Sequence, residues 1–304
     1  MIGVRGDARA LEPMVIGDRQ LFVLPVPCEL DGTLSAYPAT SRGFTCLNTY
    51  LVSEPGHALL LDPGYSIHEQ VLGDAIASLL EPRSKLTVWA LRIGEFASIC
   101  NVRPFVERFD VDALYGSQGN PPVWVDFRPE YVPYGSAVGT GALADVEPRV
   151  ASQGMDVKLG DGARKLQTLA APLRLLPTNW LYDEATRTLF TADAFAYASR
   201  PTAAGPWAVT AEDDPTTPEQ VWDCLAHSRF WWLPGARTEP IRTAIARVFE
   251  DHDVDRIAPA CGCVIEGPET VRRHVAMLDD LLAAAEHERS IGIEVGRWQL
   301  KGAR

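Results

Sequence analysis

Residues 85–109, "KLTVWALRIGEFASICNVRPFVERF", decide how the chain is read. The first six, Lys85–Ala90, form a mostly apolar, β-prone run that reads as a buried strand, and "VRPFVERF" has the spacing of a short helix. Between them lies a loop, "LRIGEFASICN", residues 91–101. Strand, short loop and helix make a frame in which many enzymes hold a pair of metal ions. Yet this loop contains no histidine and a single carboxylate, Glu95. The frame is present without the ligands.

Working outward, the same alternation continues on both sides. Upstream, "QLFVLPVP" at residues 20–27 reads as a strand, and "CLNTYLV" and "ALLLDPG" read as a hairpin about the "SEPGH" turn. Residues Ile67, Val71, Leu72, Ile76, Leu79 and Leu80 recur at helical spacing and predict an amphipathic helix. Downstream, "ALYGS" is a short strand and residues 119–150 read as an irregular excursion rich in Gly and Pro. Two further β-rich stretches follow, the second a hairpin turning at Asp183–Thr186, and residues 199–217 read as a surface loop. Thr217 is placed to cap a helix that begins at Pro218 and runs into "FWWLPG". Helices over "TEPIRTAIARVFEDHD" and "GPETVRRHVAMLDDLLAAAEHERS" flank a strand, "DRIAPAC". Two successive halves, each β-rich and then α/β, predict two sheets packed face to face with helices outside.

Composition bounds the function. The chain has 304 residues, 46% hydrophobic and 22% charged, with a net charge of −12. That acidic balance, without any basic cluster, argues against a nucleic-acid or anionic-membrane partner. No apolar run is long enough to span a bilayer, and the first residues carry no apolar signal core. A cytoplasmic protein is therefore expected. Six cysteines without a CxxC pair read as free thiols, and "CGC" at Cys261–Cys263 is too short for a zinc knuckle.

The order and spacing of these pieces resemble the metallo-β-lactamase fold, in particular its flavodiiron-like branch, from about residue 20 to residue 285. "CLNTYLV…LLLDPG" is similar to the family's opening hairpin, with Asp62 and Gly64 in its Asp-x-Gly turn. "TLFTADAF" resembles the family's Leu-Phe-x-x-Asp-x-Phe, and "IAPACGCV" its final Pro-x-His-Gly segment. The resemblance implies an α/β fold, a four-layer αβ/βα sandwich of two mixed β-sheets with helices on the outer faces, in a single domain over residues 1–304. It also implies where metal ligands would fall. Glu95 takes the second ligand position and Asp193 the bridging aspartate. Ile93, Ala97, Ser98 and Leu175 stand at positions where the family has His or Asp, and Cys261 stands at the last His. Dimetal sites need about three donors per ion, and Ile, Ala and Leu donate nothing.

Glu95, Asp193 and Cys261 are accordingly the candidate catalytic residues, and the only candidate ligands should one metal bind. Ile93, Ala97, Ser98, Cys100, Arg174, Leu175 and Asn179 are the candidate pocket residues. Two carboxylates in one cavity predict a raised pKa for one of them and suit acid–base chemistry. The alternative reading pairs them with Arg92, Arg174 or backbone donors as a structural remnant. Cys261 reads as an inert buried thiol or as a nucleophile, and a Cys100–Cys261 pairing is compatible with the alignment. Asn48 and Asp62 read as structural, Tyr65 as a rim residue, and Trp231 and Trp232 as core caps or pocket walls.

Three functions follow as expectations. The first is a degenerate member of the fold, without the dimetal site or any cofactor. It binds a small molecule, or acts as a metal-independent enzyme of specialised metabolism through the residual acidic pocket. The second is a metallohydrolase or iron oxidoreductase with a reduced one-ion site at Glu95, Asp193 and Cys261. Flavodiiron redox chemistry is disfavoured on the resemblance, because those proteins carry a flavodoxin domain after the segment where this sequence ends. The third is a catalytically inactive interaction subunit, with a homodimer compatible with the helical exterior.

Overall fold

The computed structural model describes residues 11–16, 21–119, 121, 125, 143, 145–162 and 164–288. Most of the excursion expected at residues 119–150 lies outside them. The described strands form two seven-stranded sheets. The first runs in order β1 (Met14–Val15), β2 (Leu21–Glu29), β3 (Phe44–Glu54), β4 (His57–Leu61), β5 (Lys85–Ala90), β6 (Val111–Gly116) and β7 (Glu147–Val150). Its pairings are antiparallel as far as β4 and parallel from there to β7.

The second sheet contains β8 (Asp156–Leu159), β9 (Arg164–Ala170), β10 (Asn179–Asp183), β11 (Thr188–Ala192), β12 (Ala208–Val209), β13 (Arg256–Pro259) and β14 (Val264–Glu266). Their order is β12-β14-β13-β11-β10-β9-β8. Four short strands depart from the sequence reading: β1 precedes the first strand expected, and β7 ends the stretch expected to be irregular. β12 lies in the stretch expected to be a surface loop, and β14 is a three-residue strand paired antiparallel to β13. Neither is long enough to show an apolar period of its own.

Three apolar clusters fill the space between four layers. Leu59, Leu61, Trp89, Leu181 and Phe190 belong to the cluster between the two sheets. On the outer face of the first sheet, Leu60, Leu86 and Val88 meet Leu72 and Ile76 of α1 (Glu69–Leu79) and Phe105 of α3 (Val102–Arg108). On the outer face of the second, Trp180 and Leu189 meet α4 (Pro218–Cys224), α5 (Glu239–Asp251) and α6 (Pro268–His287). The alternation along each strand sends one set of side chains inward and the next outward, which is why both faces of both sheets are covered.

Local signals behave as their chemistry requires, with two informative exceptions. Thr217 caps α4 by accepting from the Gln220 N–H at 3.3 Å, with Pro218 in the first turn. Helix α1 starts only at Glu69, after a 3₁₀ turn over Ser66–His68, so Ile67 leaves the buried face and is 64% exposed. The helix expected to run from Pro218 through "FWWL" stops early. A π-helical turn over Leu225–Arg229 follows α4, with the Phe230 N–H bonded to the Leu225 carbonyl at 2.9 Å, and the chain then turns away.

Among the described residues no helix is long and apolar enough to cross a membrane. The inter-sheet core lies beneath the loops discussed next. Tyr50 meets Phe190 edge-on across it, ring centroids 5.1 Å apart. Phe190→Ala should lower stability by about 3–5 kcal/mol, read from urea unfolding at an unchanged m-value.

Candidate functional site

At one end of the sandwich, three loop segments bring charge into the seam between the sheets. The first follows β4. Asp62 sits there in the left-handed region at φ 51, with its amide bonded to the Trp89 carbonyl. An Asp tolerates that conformation better than a branched residue does. Gly64 follows at φ 85, a left-handed conformation that favours glycine, and a Cβ there would push against Leu72 Cδ1 of α1 at 2.5 Å. The second segment follows β5 and carries Arg92, Glu95 and the one-turn helix α2 (Phe96–Ile99). The third follows β11, where a bulge between Phe190 and Ala192 precedes Asp193. Ala192 at φ 53 and Phe195 at φ 63 flank Asp193, so this turn stores backbone strain beside the acid.

These segments converge on Arg92. Its guanidinium is 2% exposed, yet it is surrounded by acceptors. Nη1 donates to Asp193 Oδ1 at 2.8 Å, and Nε donates to Asp62 Oδ2 at 3.3 Å and Ser98 Oγ at 3.2 Å. Nη2 lies 3.3 Å from Asp62 Oδ2. The Leu91 N–H completes the cradle by donating to Asp62 Oδ1 at 2.9 Å. A second guanidinium arrives from the π-helical turn. Arg229 Nη1 lies 3.2 Å from Asp193 Oδ1 and 3.5 Å from Glu95 Oε2.

The electrostatics follow from burial and pairing together. Burial works against the Arg92 charge, but Asp193 and Asp62 outweigh it and hold the group protonated above the usual arginine range. Arg229 is shifted the same way, burial again being overcome by Asp193. For Asp62 the balance is reversed. Burial pushes its carboxyl up, and the pull of Arg92, Ser98 and the Leu91 amide offsets only part of that. The expected face-to-face carboxylate pair is therefore not the arrangement found, because Arg229 bridges Glu95 and Asp193 with a cation.

The remaining predicted residues separate into four groups. Ala97 and Cys261 line a cavity of about 120 Å³ together with Tyr37, Tyr65, Arg92 and Arg229. Ser98 is fully buried against Arg92, and Asn179 is buried at the start of β10 with its amide bonded to the Leu91 carbonyl. Ile93 belongs to the core under α1 and α3. Arg174 and Leu175 are exposed on the connection between β9 and β10 and are not among the cavity's lining residues. Arg174 donates to the Ala171 carbonyl rather than to either site carboxylate.

All six cysteines are free, so Cys100 and Cys261 are not joined. Cys261 is 2% exposed, and burial raises its thiol pKa against the pull of Arg229 and Arg92. Asn48 explains why the Cys261 loop is fixed. Its Nδ2 donates to the Pro259 and Gly262 carbonyls at 2.9 and 2.8 Å, and Tyr50 donates to Pro259 at 2.6 Å.

Sequence reasoning did not weigh Arg229 at all, and it considered Arg92 only as a partner in a structural remnant. Arg92 carries a legible signal, a charge directly after the buried run "KLTVWAL". Arg229 carries none, since only the π turn brings it into the site. Two members of the candidate ligand trio are engaged by cations, although the buried Asp193 Oδ2 has no hydrogen-bond partner among the described residues. Asp193 Oδ1 is occupied by two guanidiniums and Glu95 by one. Among the described residues no group of three His, Cys, Asp or Glu side chains is arranged to hold a metal ion.

With this geometry in view, comparison with known proteins gives the architecture a name. The rubredoxin oxygen:oxidoreductase of the anaerobe Desulfovibrio gigas is similar over 90% of this chain and 62% of its own, at 14% identity and a TM-score of 0.62. The fold is the metallo-β-lactamase-like sandwich of the flavodiiron proteins. The flavodiiron protein of Giardia intestinalis is similar over 89% of this chain and 60% of its own, with 12% identity and a TM-score of 0.60. A fragment of a diflavin flavoprotein from Nostoc is similar over 91% of this chain and 97% of its own, with 14% identity and a TM-score of 0.60. The chain thus spans less than two thirds of the length of the first two proteins. No family model and no curated protein matches the sequence.

Two predictions test the site. Arg92→Met should cost about 3–5 kcal/mol of stability, measured by chemical unfolding, because it strands Asp62 and Asp193 without their buried counter-charge. The thiols test the packing. Burial pushes Cys28 and Cys224 up to about 12 and Cys263 to about 11, and it raises Cys46 and Cys261 as well. At pH 8 a thiol-disulfide reagent should titrate no more than about one cysteine within minutes, and all six only in denaturant.

Proposed function

We propose that this chain is a metal-independent form of the flavodiiron-type fold, and that it binds a small organic molecule in the cavity beside Arg92 and Arg229. One observation carries the reading: the acid that the resemblance places at the metal bridge, Asp193, accepts from Arg92 at 2.8 Å and contacts Arg229 at 3.2 Å. An ion at Asp193 would meet two guanidiniums already on Oδ1, with only Oδ2 unpartnered among the described residues, and would find no histidine at the expected positions. The residues present do not fit a di-iron centre.

Two guanidiniums perform the charge compensation that metal ions would otherwise supply. What remains is a narrow cleft with Ala97, Cys261 and two tyrosines around an arginine edge, a mixture of apolar wall and a few polar groups that suits an organic ligand. Glu95, 3.5 Å from Arg229 through Oε2, is the carboxylate we assign to act on a bound molecule.

Elemental analysis of the purified protein, beside a Glu95→Ala, Asp193→Ala double variant, tests the reading. The expected result is no stoichiometric metal in either. About one equivalent in the parent that disappears in the variant would overturn it and establish a one-ion site on those acids.

A further inference from the structure

A second cavity, of about 460 Å³, lies between the β2–β3 connection and α4. Its volume falls within the ~300–1,000 Å³ that enclose small ligands. It shares only Tyr37 with the cavity beside Arg92, so it is a separate site. Part of its lining is firmly fixed. Phe44 and Arg200 exchange two backbone hydrogen bonds, at 2.7 and 2.8 Å. The buried Arg200 guanidinium donates to the Pro206, Ala208 and Asp213 carbonyls and to the Asp213 carboxylate, so its charge is already matched.

The β2–β3 connection and α4 bring opposite chemistry to this cavity. From the connection comes Arg42, whose Nη1 donates to the Ala39 and Ser41 carbonyls at 3.0 and 2.7 Å. Those bonds hold the guanidinium against its own loop. Its Nε and Nη2, the side-on fork, make no hydrogen bond among the described residues. Asp31, whose pKa is lowered by its Thr33 hydrogen bonds first and by Arg42 least, forms no ion pair with it. From α4 come Gln220 and Asp223, three residues apart and so on one face. Gln220 Nε2 donates to the Tyr197 carbonyl at 3.3 Å and to Ser199 Oγ at 2.7 Å. A carbonyl only accepts, so the amide nitrogen belongs there, and Oε1 is left as an acceptor without a partner among the described residues. Asp223 is the one carboxylate among the lining residues, and His227 Nδ1 lies 3.0 Å from its Oδ1, leaving Oδ2 unpartnered there. Burial pushes the neighbouring Cys224 thiol up to about 12, so that group stays neutral. Arg42 and Asp223 form no ion pair with each other.

We infer that this cavity binds a zwitterionic amino acid with an apolar side chain. Its carboxylate accepts two parallel bonds from the Arg42 fork, the geometry in which a guanidinium meets a carboxylate best. Its ammonium carries three donors, enough for Asp223 and Gln220 Oε1 together. Its side chain lies against Leu30, Tyr37, Pro201 and Pro215, the apolar part of the lining. A cation and an anion held unpaired in one cavity match a ligand bearing both charges. A molecule with one charge would leave the other group to water.

The test is a calorimetric titration at neutral pH with three probes of one shape: L-phenylalanine, 3-phenylpropanoate, which lacks the ammonium, and 2-phenylethylamine, which lacks the carboxylate. L-Phenylalanine should bind about tenfold more tightly than either analogue, the difference one hydrogen bond to a charged group makes. Asp223→Asn should bring its affinity down to that of 3-phenylpropanoate, and Arg42→Gln down to that of 2-phenylethylamine. Both side chains are exposed, so folding is not at stake in either variant. An analogue that binds as tightly as L-phenylalanine would overturn the zwitterion. No binding of L-phenylalanine at its solubility limit would overturn the ligand class. Binding that neither variant weakens would lie elsewhere and overturn the assignment to this cavity. Metal content judges the reading of the Arg92 site separately, so the two can fail independently.

Discussion

A guanidinium with almost no access to water, held between two carboxylates from different sheets, is the interaction on which the rest of this site depends. Arg92 and Asp62 extend from strands of the first sheet and Asp193 from the end of a strand in the second. Burying three charged groups is expensive, and the arrangement persists because each removal leaves a worse state, an unpaired charge in a dry seam. Arg was the residue able to do this. Its planar fork donates to Asp62, Ser98 and Asp193 at once, whereas the point charge of a lysine could not.

The same pairing explains why strained backbone gathers here. Asp62 and Ala192 occupy left-handed conformations that cost a non-glycine residue free energy, and both lie at or next to an acid that Arg92 binds. The sandwich beneath them is over-determined by three apolar clusters, so it can impose such geometry on its loops. The π turn at Leu225–Arg229 belongs to the same economy: one extra residue per turn ends α4 early, points Arg229 at Asp193 and leaves Trp231 in solvent.

Much of the fold was legible in the sequence because it rests on long periodic signals. The strand "KLTVWA", the helix from Glu69 and the final helix each carry enough residues for their period to stand out, and Thr217-Pro218 announces a helix start by its chemistry. What was illegible depended on contacts across the chain. Nothing about β14, three residues long, marks it as a strand until β13 lies beside it. In the site, the alignment brought Asp193, Glu95, Ala97 and Cys261 to one region, but it ranked acids by their value as ligands. It could not see that Arg229, distant in sequence, would arrive between two of them. Leu175 illustrates the converse error, since counting from flanking prolines located a position on a loop whose side chain faces outward.

The claim that cations from the protein occupy the place of metal is tested most directly by a crystal structure of protein grown and soaked in manganese, with an anomalous difference map. The account predicts continuous density from Arg92 to Asp193 Oδ1 and no anomalous peak among Glu95, Asp193 and Cys261. A strong peak there, with Arg92 swung away from Asp193, would contradict it.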